Sequence, residues 1–122
     1  MKSTAITIKA RPVPKPRMTQ SDKWSGRPEV ERYWAFCADV RSVLKELPAR
    51  YRAVFRIEMP KSWPKEKRSD MDGQPHQQTP DLDNLVKALQ DACGSDHHIH
   101  EVRATKVWSQ TSSIEIEELK GQ

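Results

Sequence analysis

A chain of 122 residues with 35% hydrophobic and 31% charged side chains falls in the range of a single domain, here taken as 1–122. Its composition excludes collagen, coiled-coil and disulfide-scaffold classes. Net charge is +4, but residues 1–80 carry 17 Lys and Arg against 9 Asp and Glu, while residues 81–122 carry 4 against 8. A basic surface attracts a phosphate backbone, and clustered acids repel one unless cations sit between them, so the division suits a metal-dependent nuclease and equally a solvated surface of mixed charge.

In chain order, residues 4–10 alternate small or polar with apolar side chains and predict a first strand, ended by Pro12, Pro14 and Pro16. The stretch through Lys15, Arg17, Lys23 and Arg27 has no period and predicts a basic loop. From Pro28, the apolar residues Val30, Tyr33, Trp34, Cys37, Val40, Leu44 and Leu47 recur at three- and four-residue steps. They predict a long amphipathic helix that Pro48 terminates. Residues 51–59 predict a second strand, with Ala53, Phe55 and Ile57 alternating against Arg52 and Arg56.

Residues 60–80 hold four prolines and the basic run Lys65-Glu66-Lys67-Arg68 without any apolar period, so a long functional loop is expected there. Thr79 then reads as an N-cap with Pro80 at the first helical position, and Leu82, Leu85, Val86 and Leu89 supply a helical stripe that Gly94 ends. Residues 100–108 and 113–118 alternate and predict a terminal hairpin. The order β-α-β-α-β-β implies a two-layer α+β sandwich with helices on one face of a small mixed sheet. No apolar run reaches the roughly 20 residues of a membrane span, and no signal-peptide core is visible, so a cytoplasmic protein without membrane contact is expected. Cys37 and Cys93, both on helical patterns, are expected to be reduced thiols in or near the core.

The most informative segment runs from Thr79 to Asp91 and contains Asp81-Leu82-Asp83-Asn84. In an ideal helix, residues two apart point about 200° apart, so the two aspartates share a metal only if Asp81 lies in an extended or capping conformation. Asp83, Lys87 and Asp91 follow at four-residue steps on one helix face, a spacing that a surface salt-bridge ladder explains as readily.

The register Asp-Leu-Asp-Asn-Leu-x-Lys-Ala, at Asp81 through Ala88, resembles the signature of the RusA family of Holliday junction resolvases. Ser95-Asp96-His97-His98-Ile99, followed by Arg103 and Lys106, aligns with that family's downstream Asp-Asp-x-Gln-Val element and basic strand. Pro14-Lys15-Pro16-Arg17 is similar to a segment of its phage-type members. The pattern departs from the family at Ser95 and His98 and in a shorter connection from Asp91 to Asp96, which leaves Glu101 as the alternative third acid.

The resemblance implies a metal-dependent endodeoxyribonuclease in a bacterial or phage-infected cell. Asp81, Asp83 and Asp96 would hold Mg²⁺, with Mn²⁺ as a substitute, and Lys87 would face the scissile phosphate. Asn84 would support Asp83. The implied partners are branched DNA and a second copy of the chain, because a two-fold symmetric four-way junction needs two matched nicks; no nucleotide cofactor is implied. Lys15, Arg17, Lys23, Arg27, Lys61, Lys65, Lys67 and Arg68 would meet phosphates, and Trp24 and Trp63 would either stack on an unpaired base or cover a core edge.

Three other readings remain. One is a zinc site built from Cys93, His97, His98 and His100, although its spacing matches no structural zinc motif. Another is a degenerate restriction-type site with Asp81 and Glu101. The third is a DNA-binding accessory module without catalysis.

Overall fold

The computed structural model describes residues 5–16, 28–94 and 96–120. Among these, four strands and three helices follow in the order β1 (Ala5–Ile8), α1 (Pro28–Val43), β2 (Arg50–Glu58), α2 (Lys65–Met71), α3 (Leu82–Ala92), β3 (Glu101–Ser109) and β4 (Ser113–Glu118). The fold is α+β, and its mixed sheet has the strand order β1-β4-β2-β3. No helix among the described residues is long and apolar enough to cross a membrane.

Period-two patterning dictates which face of the sheet is covered. Tyr51, Ala53 and Phe55 of β2 are fully buried, as is Ile114 of β4, and Ile8 and Ile116 nearly so. They pack against Tyr33, Phe36, Cys37 and Val40 of α1 and Leu85, Ala88, Leu89 and Ala92 of α3. The intervening side chains form the other face, where Arg52 meets Glu117 and Glu115 at 3.0 and 2.9 Å and Arg56 meets Glu115 at 2.6 Å. On the β3 side, Arg50 pairs with Glu101 at 2.6 Å. These arginines hold the Glu101 and Glu115 carboxyls below the usual range, chiefly through hydrogen bonds from Arg50 and Arg56 respectively.

The last two strands are not the hairpin expected from the sequence. β3 runs parallel to β2, β4 runs antiparallel to β2, and β2 separates them. The short connection is consistent with a hairpin, but alternation says only which face a residue occupies, not which strand it pairs with. Insertion of β2 gives its arginine row glutamates on both sides, from β3 and from β4.

Residues 60–80 are also more ordered than their pattern implies. α2 buries none of its residues, so no apolar period marks it; it opens after Pro64, whose carbonyl accepts the Arg68 N–H at 3.0 Å. The chain then turns through Gly73, at φ +84°, and runs along the outer edge of β3. Gly73 N–H donates to Trp108, Trp108 N–H to Gln74 and His76 N–H to Lys106, at 2.8, 2.9 and 3.0 Å. This strip covers an edge that otherwise presents unpaired backbone groups.

At the end of α3, Gly94 adopts φ +88° just past the C-cap Cys93, as the sequence predicts for a helix stop. Arg41 donates to the Ala92 carbonyl at 2.7 Å, satisfying one of the terminal acceptors. Both cysteines are free thiols; burial pushes Cys93 up to about 11.

His76 is 4% exposed and lies against Trp108, with ring centroids 4.2 Å apart. Burial, and secondarily the Lys106 charge, lowers its pKa below 6.5. The unfolded chain therefore takes up this proton before the folded one does. The folded state keeps its full advantage above about pH 6.5 and loses it as pH falls through that value toward the lower folded pKa. Thermal melts between pH 5 and 8 should show a steeper acid-side decline in the unaltered protein than in His76→Phe; equal slopes would mean that His76 is not its source.

Candidate active site

The helix start differs by two residues from the sequence expectation, and the difference matters for the acids. Asp81, not Thr79, is the N-cap of α3, Leu82 is its first residue, and the Thr79–Pro80 peptide, which is cis, lies outside the helix. Asp81 is extended, at φ −69° and ψ 144°, while its carbonyl already accepts the Leu85 N–H at 3.2 Å. The condition under which Asp81 and Asp83 can act together is met, because the opposition of residues two apart in a regular helix no longer applies.

Both aspartates are exposed, at a helix end whose unpaired N–H groups and dipole favour negative charge. Asp83 accepts the Asn84 N–H on Oδ1 at 3.0 Å, so Asn84 meets it through the backbone. Among the described residues, neither carboxylate has an ion-pair partner. Lys87 is exposed one turn further on and pairs with neither Asp83 nor Asp91. Asp91 is taken instead by Lys15, at 2.6 Å, which commits that lysine to an internal pair.

Asp96 is not brought to the aspartate pair. α3 has eleven residues and rises about 16 Å between the two acid positions. Asp96 lies past the far end, where its charge reaches the Tyr51 hydroxyl that Gln90 contacts at 2.9 Å. Its carbonyl accepts the Ile99 N–H at 3.1 Å, and His100 N–H then bonds to Ala49 at 2.9 Å, leading directly into β3. A connection this short starts β3 at the C-terminal end of the helix. Glu101 is at the same end and is engaged by Arg50 and Arg103. Among the described residues, no group of three or more His, Cys, Asp or Glu side chains is arranged to hold a metal ion, a statement that covers the three acids and the histidines alike. His98 is anchored by its Nε2, 2.7 Å from the Leu47 carbonyl oxygen, and His97 and His98 meet edge to face.

Of the residues expected to meet DNA, Lys61, Lys65 and Lys67 are exposed on and before α2, with Lys67 Nζ 4.1 Å from the Trp63 ring centroid. Arg68 is half-buried and donates to Gln110 at 3.3 Å. Trp63 packs on Trp108 with centroids 4.8 Å apart, so it covers a core edge. Arg17, Lys23, Trp24 and Arg27 lie outside the described residues.

Lys106 was not singled out from the sequence as a site residue. Its ammonium donates to the carbonyls of Gln78 and, at 2.6 Å, of Pro80, directly before Asp81. A signal was present: Lys106 falls in phase with Val102, Ala104 and Trp108, the positions of β3 that alternate onto the helix-covered face.

A groove of about 850 Å³ also reaches Thr79 and Pro80, bounded by Arg11, Val13, Arg32 and Phe36. Two exposed aspartates are hard oxygen donors. They suit an octahedral ion that keeps several waters and takes phosphate oxygens, and they do not suit a closed zinc site.

Fold and site together define a small α+β domain whose exposed acid pair and nearby lysines have the side-chain chemistry of a nucleic-acid hydrolase. The model of the family described as Endodeoxyribonuclease RusA matches residues 10–117, and the chain belongs to that family. No curated protein matches it.

A paramagnetic probe distinguishes the two ends of α3. Mn²⁺ titrated into isotopically labelled protein should first broaden the amide signals of residues 81–85 and leave residues 96–99 sharp. Broadening centred on Asp96 would overturn the assignment of the ion to the N-terminal end.

Proposed function

We propose that this endodeoxyribonuclease is Mg²⁺-dependent and that, as a homodimer, it resolves four-way DNA junctions by paired symmetric nicks. The observation that carries the reading is the conformation of Asp81: extended at the N-cap, one residue before the helix that presents Asp83, with both carboxylates in solvent. Family membership supplies the reaction class, cleavage within a DNA strand.

Phosphodiester hydrolysis is an in-line displacement in which catalysis consists mainly of positioning water and neutralising charge. Asp81 and Asp83 would hold the ion; when bound, it withdraws charge from the phosphate and makes a water more acidic. Mn²⁺ presents the same preference for oxygen donors and should substitute. Lys87, exposed one turn along and uncommitted to Asp83 or Asp91, is free to donate to a phosphate oxygen of the scissile group. Asn84 bonds Asp83 from the backbone and thereby limits where that carboxylate points. Asp96 is left out of this donor set because it lies at the opposite end of α3.

Lys61, Lys65 and Lys67 form an exposed cationic group that would track the phosphate backbone without reading sequence. The contribution of Lys15 is smaller, since displacing Asp91 costs it an existing pair. A four-way junction has two strands to cut, related by a two-fold axis, and a symmetric dimer supplies two equivalent acid pairs.

Purified protein should nick both opposed strands of a labelled synthetic junction with Mg²⁺ and neither with EDTA. Asp83→Asn should bind the junction and fail to cut it, at a stability cost under about 1 kcal/mol, as removing one charge from a helix N-terminus implies. Asp96→Asn should still cut. Binding without cleavage under any divalent ion would favour a DNA-binding accessory role, and cutting by Asp83→Asn would sink the carboxylate assignment. Replacing both Lys65 and Lys67 with Gln should reduce the slope of log affinity against log salt by about 2; an unchanged slope would place the DNA elsewhere.

A further inference from the structure

Lys106 occupies a position where a strand of this pattern carries an apolar residue. In the parallel register it stands beside Phe55, on the face of the sheet that α1 and α3 cover. A half-buried ammonium on that face still has donors to place on acceptors. Lys106 places them on two main-chain oxygens, those of Gln78 and Pro80, although the Asp81 carboxylate is only one residue away.

The choice of acceptors indicates what the side chain does. Residues 73–76 are tied to β3 by backbone hydrogen bonds, and α3 begins at Leu82. Among the described residues, no other hydrogen bond joins residues 77–80 to the sheet. Among the described residues the ammonium is the last tie before Asp81, and it comes from within a strand whose neighbour, β2, buries Tyr51, Ala53 and Phe55 fully. It also brings a positive charge to the backbone directly before Asp81 without pairing with either exposed carboxylate.

We propose that Lys106 is a positioning residue for the acid pair: it clamps the Gln78 and Pro80 carbonyls and so holds Asp81 in the extended conformation that lets it act with Asp83 on a divalent cation. This rests on the reading of Asp81 and Asp83 as metal carboxylates. The side chain acts through the backbone of residues 78–81.

The test compares Lys106→Met and Lys106→Arg with the unaltered protein in three measurements: Mn²⁺ uptake followed by electron paramagnetic resonance, affinity for a synthetic four-way junction in EDTA, and amide hydrogen exchange at residues 85–86, the first bonded amides of the helix. Lys106→Met should bind the junction as well as the unaltered protein, exchange faster at those amides, and need about 10- to 100-fold more Mn²⁺ for half occupation. Lys106→Arg, which keeps N–H donors on a long cationic stem, should recover most of the loss. The Mg²⁺ concentration for half-maximal cleavage should move in parallel.

Unchanged Mn²⁺ uptake with weakened junction binding would overturn the positioning role in favour of a direct phosphate contact. Unchanged uptake and unchanged exchange would overturn it outright. If the unaltered protein takes up no Mn²⁺, the metal reading itself fails, and amide exchange alone decides the clamp: faster exchange in Lys106→Met upholds it and equal exchange overturns it. Should Lys106→Met not fold, Lys106→Gln replaces it under the same criteria.

Discussion

The axial position of α3 on the sheet is the constraint from which the site follows. Leu85, Ala88, Leu89 and Ala92 bury one side of the helix, but apolar contacts are non-directional and leave it free to slide. Polar contacts at its two ends remove that freedom. Gln90 donates to the Tyr51 hydroxyl at 2.9 Å near the C-terminus, and Lys106 holds the Pro80 carbonyl just before the N-terminus. Both anchors come from adjacent strands, β2 and β3, whose parallel register fixes the spacing between them. With the helix pinned at both ends, the direction in which the chain enters at Asp81 is determined as well.

The same constraint separates the acids that a linear alignment groups together. A motif match assigns roles by order along the chain, and by that order Asp96 follows Asp83 as the next candidate. Space is decided by the length of the connection between α3 and β3. Here Gly94 ends the helix, and His100 already bonds to Ala49 at the entrance to β2, so the intervening residues remain at one end of the sheet. Asp81 and Asp83 sit near the middle of β3 through Lys106, while Asp96 and Glu101 sit near its start. A pair of carboxylates is nevertheless a sufficient protein contribution for Mg²⁺, which dehydrates reluctantly and completes its shell with water and phosphate.

Much of this architecture was legible because burial leaves a period. The stripes from Val30 and from Leu82 predict the two packed helices, although α1 stops at Val43 rather than at Pro48, Leu44 and Leu47 are buried beyond its end and Trp34 faces out; the alternation in β2 predicts its covered face. What was not legible leaves no such period. α2 buries none of its residues and opens after Pro64, and the strip from Gly73 to His76 pairs through backbone groups that any side chain permits. Strand neighbours were hidden for a similar reason, since Arg52 and Arg56 alternate identically whether glutamates stand on one side or on both. At the site, the sequence supplied the acids and the conformational condition on Asp81, whereas the group that meets that condition, Lys106, read as an ordinary member of a basic strand.

Charge gives the clearest case of a sequence feature that folding rearranges. The excess of cations in residues 1–80 and of anions in residues 81–122 is partly spent between the two parts: Lys15 on Asp91, Arg50 on Glu101, and Arg52 and Arg56 on Glu115 and Glu117. Four of the eight C-terminal acids are matched in this way. The open face of the sheet therefore carries neutralised stripes, a poor surface for a phosphate backbone, because a pair already formed releases few counterions. Among the described residues, the cluster around α2 keeps Lys61, Lys65 and Lys67 in solvent and open to a polyanion. The N-terminal end of α3 likewise keeps two exposed carboxylates open to a cation. Residues 73–80 join these two regions along the edge of β3, so the strip that ends at Lys106 is also the covalent link between the cationic surface and the acid pair.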